Sequence, residues 1–430
     1  MIKPEDRFWI GGGSTNFVQD EAFIMDWEQR RHYTVFGPCS LIRLQDELED
    51  EVAIDILKRY LDDLDPKVHT IWVDAEGSLV STSSDPKEDK EFAIYYPSLL
   101  DAPTLKGSRM IEMSKLTELE RFSPGVDLVS YKDEDGITRK VVFKQTSIYQ
   151  WRERRWRELN ILKRISLHPG IVPLDRVVVD DTDSQHILGL VVPYIPAQTL
   201  DENRGQTFKL EWLDQLMSLV DFLNLEQGIA HQDIAPRNLI CLEDAPPEDC
   251  RLYLFDFDYA GVIGLPWCVE NRNDVKGVIF TLYEIITLDD SYRKVPPWEQ
   301  DPDTVMNLAD WPKRRDLDAE VSVFREHLAE WVERRRNMSL PEATTPPSFP
   351  EMPKPRPTVE KIGDDGKPVY TVTSYNFRTT AQELGNYVVS WERPLKRANH
   401  DEKTVQKSFT ERVPIVACMF LVVCILQSCF

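Results

Sequence analysis

The chain has 430 residues, room for two or three folded units at roughly 100–200 residues each. Hydrophobic residues make up 42% and charged ones 29%, so a large core is available and wholesale disorder is excluded. With 51 basic against 73 acidic residues the net charge is −22, which repels nucleic-acid phosphates and argues against a nucleic-acid partner.

The N-terminus, MIKPEDRFWIGGG, has no continuous apolar stretch, so no signal peptide is expected. The seven cysteines (Cys39, Cys241, Cys250, Cys268, Cys418, Cys424 and Cys429) are odd in number and form no C-x-x-C pair. That pattern disfavours a disulfide scaffold or a zinc module and points to a reducing, cytoplasmic setting.

Residues 1–108 read as an N-terminal accessory region. Apolar residues at helical spacing predict a helix over 49–65, and residues 69–77 and 91–100 read as strands around a polar loop at 81–90. Gly11-Gly12-Gly13-Ser14-Thr15 lacks the Lys-Ser/Thr of a phosphate-binding loop and reads as a flexible turn.

From 109 to 336 the order is strands, one helix, more strands, then mostly helices. VDLVSYK and RKVVFKQT flank Asp133-Glu134-Asp135-Gly136, a hairpin signal. A helix is expected from Trp151 to Ile165, then strands in LDRVVVDD and ILGLVVPYI. Long helices follow at 210–228, ending at Gly228, at 274–287 and at about 321–336. Residues 337–358 form a proline-rich linker expected to be extended and poorly packed, and 359–412 a C-terminal extension adding strand and helix to the body. Residues 413–430 are an apolar tail.

Several local patterns then fall in one order. Lys144 ends the strand Val141-Val142-Phe143, and Glu158 sits in the next helix. His168-Pro169-Gly170-Ile171-Val172 follows, then His231-Gln232-Asp233 with Asn238, then Asp256-Phe257-Asp258, then Asp274 with Gly277. This series resembles the eukaryotic protein kinases, and more closely the diverged kinase-like proteins of filamentous fungi that carry HQDIAPRN and DFD. The resemblance covers about residues 119–336, half the chain.

It implies an α+β, bilobal protein-kinase-like fold over 109–336: a small antiparallel-sheet lobe with one helix, and a mainly helical lobe. It implies ATP and Mg²⁺ as cofactors. Lys144 would hold the α- and β-phosphates, positioned by Glu158. Asp256 would bind one Mg²⁺ and Asn238 a second. Asp233 would meet the acceptor hydroxyl, His231 would brace its loop, and Asp274 would hold the loop backbone. Gly125 would belong to the glycine-rich cover over the phosphates. The hinge would lie near Pro193-Tyr194-Ile195, with adenine between Val142 and Leu239. The implied activity is transfer of the ATP γ-phosphate to a protein hydroxyl, Ser or Thr.

The departures carry information of their own. Only Gly125 fits the glycine-rich loop, which lowers the expected nucleotide affinity. Gln232 replaces the arginine that pairs with a phosphorylated activation loop, and Tyr259 is the single hydroxyl side chain between Asp256 and Asp274. No phosphorylation switch in this loop is therefore expected. The segment is short and lacks Ala-Pro-Glu, which leaves a small-molecule kinase of the choline or aminoglycoside type open. Asp258, in place of the family glycine, leaves a pseudokinase scaffold open.

Two peripheral features remain. Arg152, Arg154, Arg155, Arg157, Lys163 and Arg164 make the helix after Trp151 locally basic, either a solvated face or a docking face for an acidic or phosphorylated partner. Ile415–Leu426 is apolar but short of the about 20 residues that span a bilayer. Three readings stand for the tail: a weak membrane anchor acylated at Cys418 or Cys424, a core segment, or a misread gene.

Overall fold

Alternation of apolar residues at the start of the chain builds a sheet rather than the turn expected there. The computed structural model describes residues 1–15, 19–38, 47–165, 168–242, 252–338, 349–354, 358–362, 366–371 and 377–394. Strands β1 (Phe8–Thr15), β2 (Gln19–Asp26) and β3 (Arg31–Pro38) run antiparallel. Helix α1 (Glu47–Tyr60) leads to β4 (Thr70–Val73), parallel to β3, and β5 (Leu79–Ser83) closes the sheet. Ala22, Ile24, Tyr33, Val35 and Ile71 share one face, in period-2 spacing, against Ala53, Ile56 and Leu57 of α1. The triple glycine lies inside β1, with a register shift between Ile10 and Gly12.

Residues 91–100 are not the expected strand. They touch the rest of the fold through isolated bridges, Phe92 to Phe377 and Ser98 to His186. Pro97 lacks the N–H a ladder needs, and Ala93, Ile94 and Tyr96 are buried as an irregular covering layer.

A second sheet uses β6 (Met110–Glu112), β7 (Thr117–Ser123), β8 (Val126–Lys132) and β9 (Thr138–Gln145). After α2 (Arg152–Ile165) it is completed by β10 (Arg176–Val179) and β11 (Ile187–Pro193). The strand order is β6-β10-β11-β9-β8-β7, and the pair β6 and β10 is parallel. Val129, Val141, Phe143, Val178 and Val191 form one face, covered by Ile94, Tyr96 and Trp391. Val177, Val179 and Leu190 face the other way, into a core shared with α2 and the helices that follow.

Those helices begin with α3 (Leu210–Asp221), prolonged by a wider π turn to Glu226 and stopped at Gly228, φ +64°. Short strands β12 (Ile229–Ala230), β13 (Leu239–Cys241), β14 (Leu252–Leu254) and β15 (Gly261–Val262) pair as β12 with β15 and β13 with β14. Helices α4 (Asp274–Thr287), α5 (Pro302–Met306) and α6 (Val321–Asn337) complete this part around Trp212, Phe280, Phe324 and Trp331.

The C-terminal part does not hang free where it is described. Trp156 of α2 donates its indole N–H to the Pro350 carbonyl (2.9 Å), and Phe349 and Met352 pack on the core. So residues 349–354 of the expected loose linker are docked. Strands β16 (Thr358–Ile362) and β17 (Pro368–Thr371) form a hairpin, followed by α7 (Arg378–Glu383). Trp391 then donates to the Tyr96 hydroxyl (2.6 Å) while buried against Phe143. Full burial of a side chain that size contributes about 2–3 kcal/mol. Arg393 reaches Glu118 (2.7 Å) and Asp127 (3.1 Å).

The first sheet joins the same hairpin: Arg30 pairs with Asp127, Arg121 with Glu28, and Trp27 stacks on Trp151 at 4.8 Å. Strands β7 and β8 are thus held by Glu28 and Arg30 and by Arg393. Among the described residues no helix is long and apolar enough to cross a membrane. The apolar tail 413–430 lies outside the described residues, as do 395–412 of the extension.

Candidate active site

Lys144 owes its position to strand alternation. Val141 and Phe143 point to one face of the second sheet, so Lys144 ends on the other, toward α2. A Cβ at Gly189 of β11 would lie 2.2 Å from the Lys144 carbonyl oxygen, so the close strand contact there requires glycine. The Lys144 ammonium donates to Glu158, to Asp256 (2.6 Å) and to Asp258 (3.3 Å). Residues 112 positions apart in the chain are thereby brought into direct contact.

Arg155 completes the cluster. It lies one helical turn before Glu158 on α2 and donates to Glu158 and to Asp258 (2.6 Å). Glu158 thus accepts from both Lys144 and Arg155. The i,i+3 spacing was the available signal for Arg155, and nothing local indicated that Asp258 would join it. Carboxylate oxygens of Glu158, Asp256 and Asp258 lie within 4.8 Å of one another.

This charge arrangement sets the protonation states. Burial alone would lower the Lys144 ammonium, but Asp256, Asp258 and Glu158 hold it well above its ordinary value. Burial and then Asp258 push the Glu158 carboxyl up. Burial also penalises charge on Asp258, yet Arg155 and Lys144 outweigh it and hold that carboxyl down. The two acids divide the roles, with Asp258 the firmer anion.

The second set of expected residues sits on the segment after β12. Asp274, at the start of α4, accepts from the backbone N–H of His231 (2.8 Å) and Gln232 (2.7 Å) and from the Asn224 amide (2.8 Å). His231 donates Nε2–H to the Phe255 carbonyl (3.1 Å), leaving Nδ1 to accept from the Asp233 N–H (3.3 Å). Asp233 accepts from Arg237 on one oxygen and from the Asn238 amide (2.8 Å) on the other. The Asn238 amide nitrogen also donates to the Asp233 carbonyl (2.8 Å), so its oxygen is left toward other partners. Phe255, next to Asp256, donates its N–H to the Asn238 carbonyl (3.2 Å) and ties the two sets together.

Gln232, in the left-handed region at φ +64°, does more than replace an arginine. Its amide donates to the carbonyls of Tyr259 (2.6 Å) and Trp267 (3.0 Å) and accepts from the Val269 N–H (2.5 Å). It pins the loop between Asp256 and Asp274 without any phosphate.

Gly125 lies one residue from Lys144 in the ladder, through the Val126–Lys144 pair. Its φ is +68°, and a Cβ there would meet the Trp151 ring at 2.5 Å. The glycine is thus required by Trp151, and the hairpin tip is a tight turn, Pro124-Gly125, rather than a long cover. At the expected hinge the Tyr194 ring faces Phe122 at 6.1 Å.

Over 107 residues the chain is 26% identical to mouse ribosomal protein S6 kinase alpha-4, a match covering 24% of this chain and 14% of that protein. The chain therefore spans only a small part of that relative's length. No protein-family model matches it. The similarity is to a protein kinase, and the fold is a mixed α+β one with a multistranded sheet and several helices, compatible with a bilobal arrangement.

Proposed function

We propose that this protein is an ATP-dependent phosphotransferase of the protein-kinase-like class, acting at the junction of the second sheet and the helical part, 109–336, on a Ser or Thr hydroxyl of a protein. The observation that carries the reading is Lys144 held between Glu158 and Asp256. A lysine sheltered by carboxylates from distant segments is what a polyphosphate site requires.

The donor set fits Mg²⁺ and ATP: Asp256, with Asp258 near it, offers carboxylate oxygens, and Asn238 keeps its amide oxygen available. Bound MgATP supplies the transferable phosphoryl group with its charge partly neutralised. Lys144 holds the phosphates, and Glu158 holds Lys144. Asp233 orients the acceptor hydroxyl and takes its proton as the new O–P bond forms and the bond to ADP breaks. His231 and Asp274 fix the loop that carries Asp233. The setting is the cytoplasm.

A second reading, a scaffold of the same fold, is favoured by Trp151 under Gly125 and by Asp258 against Lys144. One set of proteins separates the two. In the full chain, ATP with Mg²⁺ raises the melting temperature and Asp256→Ala abolishes that rise. Asp233→Ala retains it and lowers ATP consumption. A wild type with no metal-dependent ATP shift, indistinguishable from both variants, rejects the enzyme and leaves the scaffold.

A further inference from the structure

Tryptophan is costly to bury unless its N–H finds an acceptor, yet the buried indole N–H of Trp27 meets none among the described residues. Trp27 follows β2 and is 1% exposed. Its backbone N–H donates to the Arg7 carbonyl (2.8 Å), and the adjacent Asp26 accepts from the Arg7 guanidinium (2.8 Å) and the Glu28 N–H (2.9 Å). The ring therefore has a fixed seat. Trp9 of β1 lies 6.2 Å away, Trp151 stacks on Trp27 at 4.8 Å and 9°, and Ile2, Met25 and Ile148 close the cluster.

Trp151 relays that seat to the candidate active site. Its half-buried ring fills the space of the Cβ that Gly125 lacks, 2.5 Å from where that atom would stand. It ends the short helical turn Tyr149–Trp151, which runs straight into α2 and toward Glu158. On the far side of the hairpin tip, the Gly125 carbonyl accepts from the Gln145 N–H (3.0 Å), and Val126 pairs with Lys144. Pro124 and Gly125 are both buried. A second tie joins the same segments: the Gln150 amide donates to the Gly11 carbonyl (3.1 Å). A turn gripped on both sides does not fold over a ligand by flexing; its place is set beforehand.

We propose that the first sheet is a working part of the nucleotide site, with Trp27 a positioning residue that acts through Trp151 to fix the Pro124-Gly125 turn and the start of α2 against the phosphates. This rests on the phosphotransferase reading and deepens it by naming what sets nucleotide affinity. A loop of several glycines reaches phosphate through its own freedom. A turn with one glycine does so only where tertiary contacts hold it in place, because ordering it on binding would subtract from affinity. The tryptophan stack supplies that order in the folded chain, so the N-terminal strands control a site built on the second sheet.

The test titrates the full chain with MgATP by calorimetry, well below each variant's melting temperature, and follows hydrogen exchange at residues 122–126 without nucleotide. The expected Kd rises at least about fivefold in Trp27→Leu and in Trp151→Leu, and Trp27→Phe recovers part of the loss. Val35→Ala opens the core of the first sheet away from the stack; it lowers the melting temperature and leaves Kd unchanged. That contrast separates positioning from stability, since a loss of stability by itself does not move Kd in a chain that is still folded. Equal Kd in the wild type and Trp27→Leu overturns the proposal while the phosphotransferase reading stands. An equal rise in Val35→Ala assigns the effect to the sheet as a whole and overturns the role of Trp27. A wild type that binds no MgATP rejects the phosphotransferase reading and, with it, the nucleotide role. Exchange at 122–126 then decides the mechanical link: faster in Trp27→Leu where the stack holds the turn, unchanged where it does not.

Discussion

Arg155→Met tests the charge cluster most directly. The wild-type cluster holds two cations, Lys144 and Arg155, against Glu158, Asp256 and Asp258. Side-chain exposure is 4% for Arg155 and 1% for Glu158, so water replaces little of what the substitution removes. Methionine fills a similar volume but leaves Glu158 and Asp258 facing each other with Lys144 alone between them. Breaking a buried ion pair from one side costs about 3–5 kcal/mol.

The sign of the pH dependence follows from Glu158. Its folded-state pKa already lies above its ordinary value and rises further without Arg155. A carboxyl raised on folding contributes stability at low pH that is lost as pH climbs through its folded value. The deficit of Arg155→Met, read from urea midpoints, is therefore larger at about pH 9 than at about pH 6. Arg155→Met/Asp258→Leu removes one charge of each sign and recovers at least about 2 kcal/mol. A single variant as stable as the wild type, or a deficit that does not change with pH, refutes this account of what holds α2 against the loop.

Gln232→Ala leaves three backbone groups of the 259–269 loop without their partner, a loss of about 1–3 kcal/mol, and raises hydrogen exchange there while α3 stays protected. Unchanged exchange in that loop contradicts the pin. Gly125→Ala forces Trp151 off Trp27, lowers the melting temperature and alters tryptophan fluorescence; Trp151→Leu in the same chain recovers part of the loss. His32 and Glu91 pull stability in opposite directions beneath the C-terminal segment. Burial lowers His32 from 6.5 to about 4, so its stability is full above pH 6.5 and is lost toward pH 4. Burial raises Glu91 from 4.5 to about 7, so its stability is lost as pH rises between those values. In His32→Gln only the second slope remains, and melting temperature relative to wild type falls with rising pH across that window; a flat difference contradicts it.

Local patterning determined much of this chain. The hairpin around Asp133-Glu134-Asp135-Gly136, α2 and α4 stand where the sequence put them, because turn chemistry, apolar spacing and caps act over a few residues. The residues singled out for chemistry were legible as a series, and the contact of Lys144 with Glu158 and Asp256 agrees with that order. What the tertiary structure decided are the relations that no window contains. The contact of Gly125 with Trp151, which lies on another element, is one such relation. Arg155 and Asp258 are 103 positions apart and become a pair only when α2 meets the loop. Trp391 and Tyr96 are 295 apart, and their contact makes the C-terminal extension a clamp on the second sheet. Nothing in either local sequence distinguishes such a pair from solvent-facing residues; burial in the folded chain, by removing water as the competing partner, is what selects it.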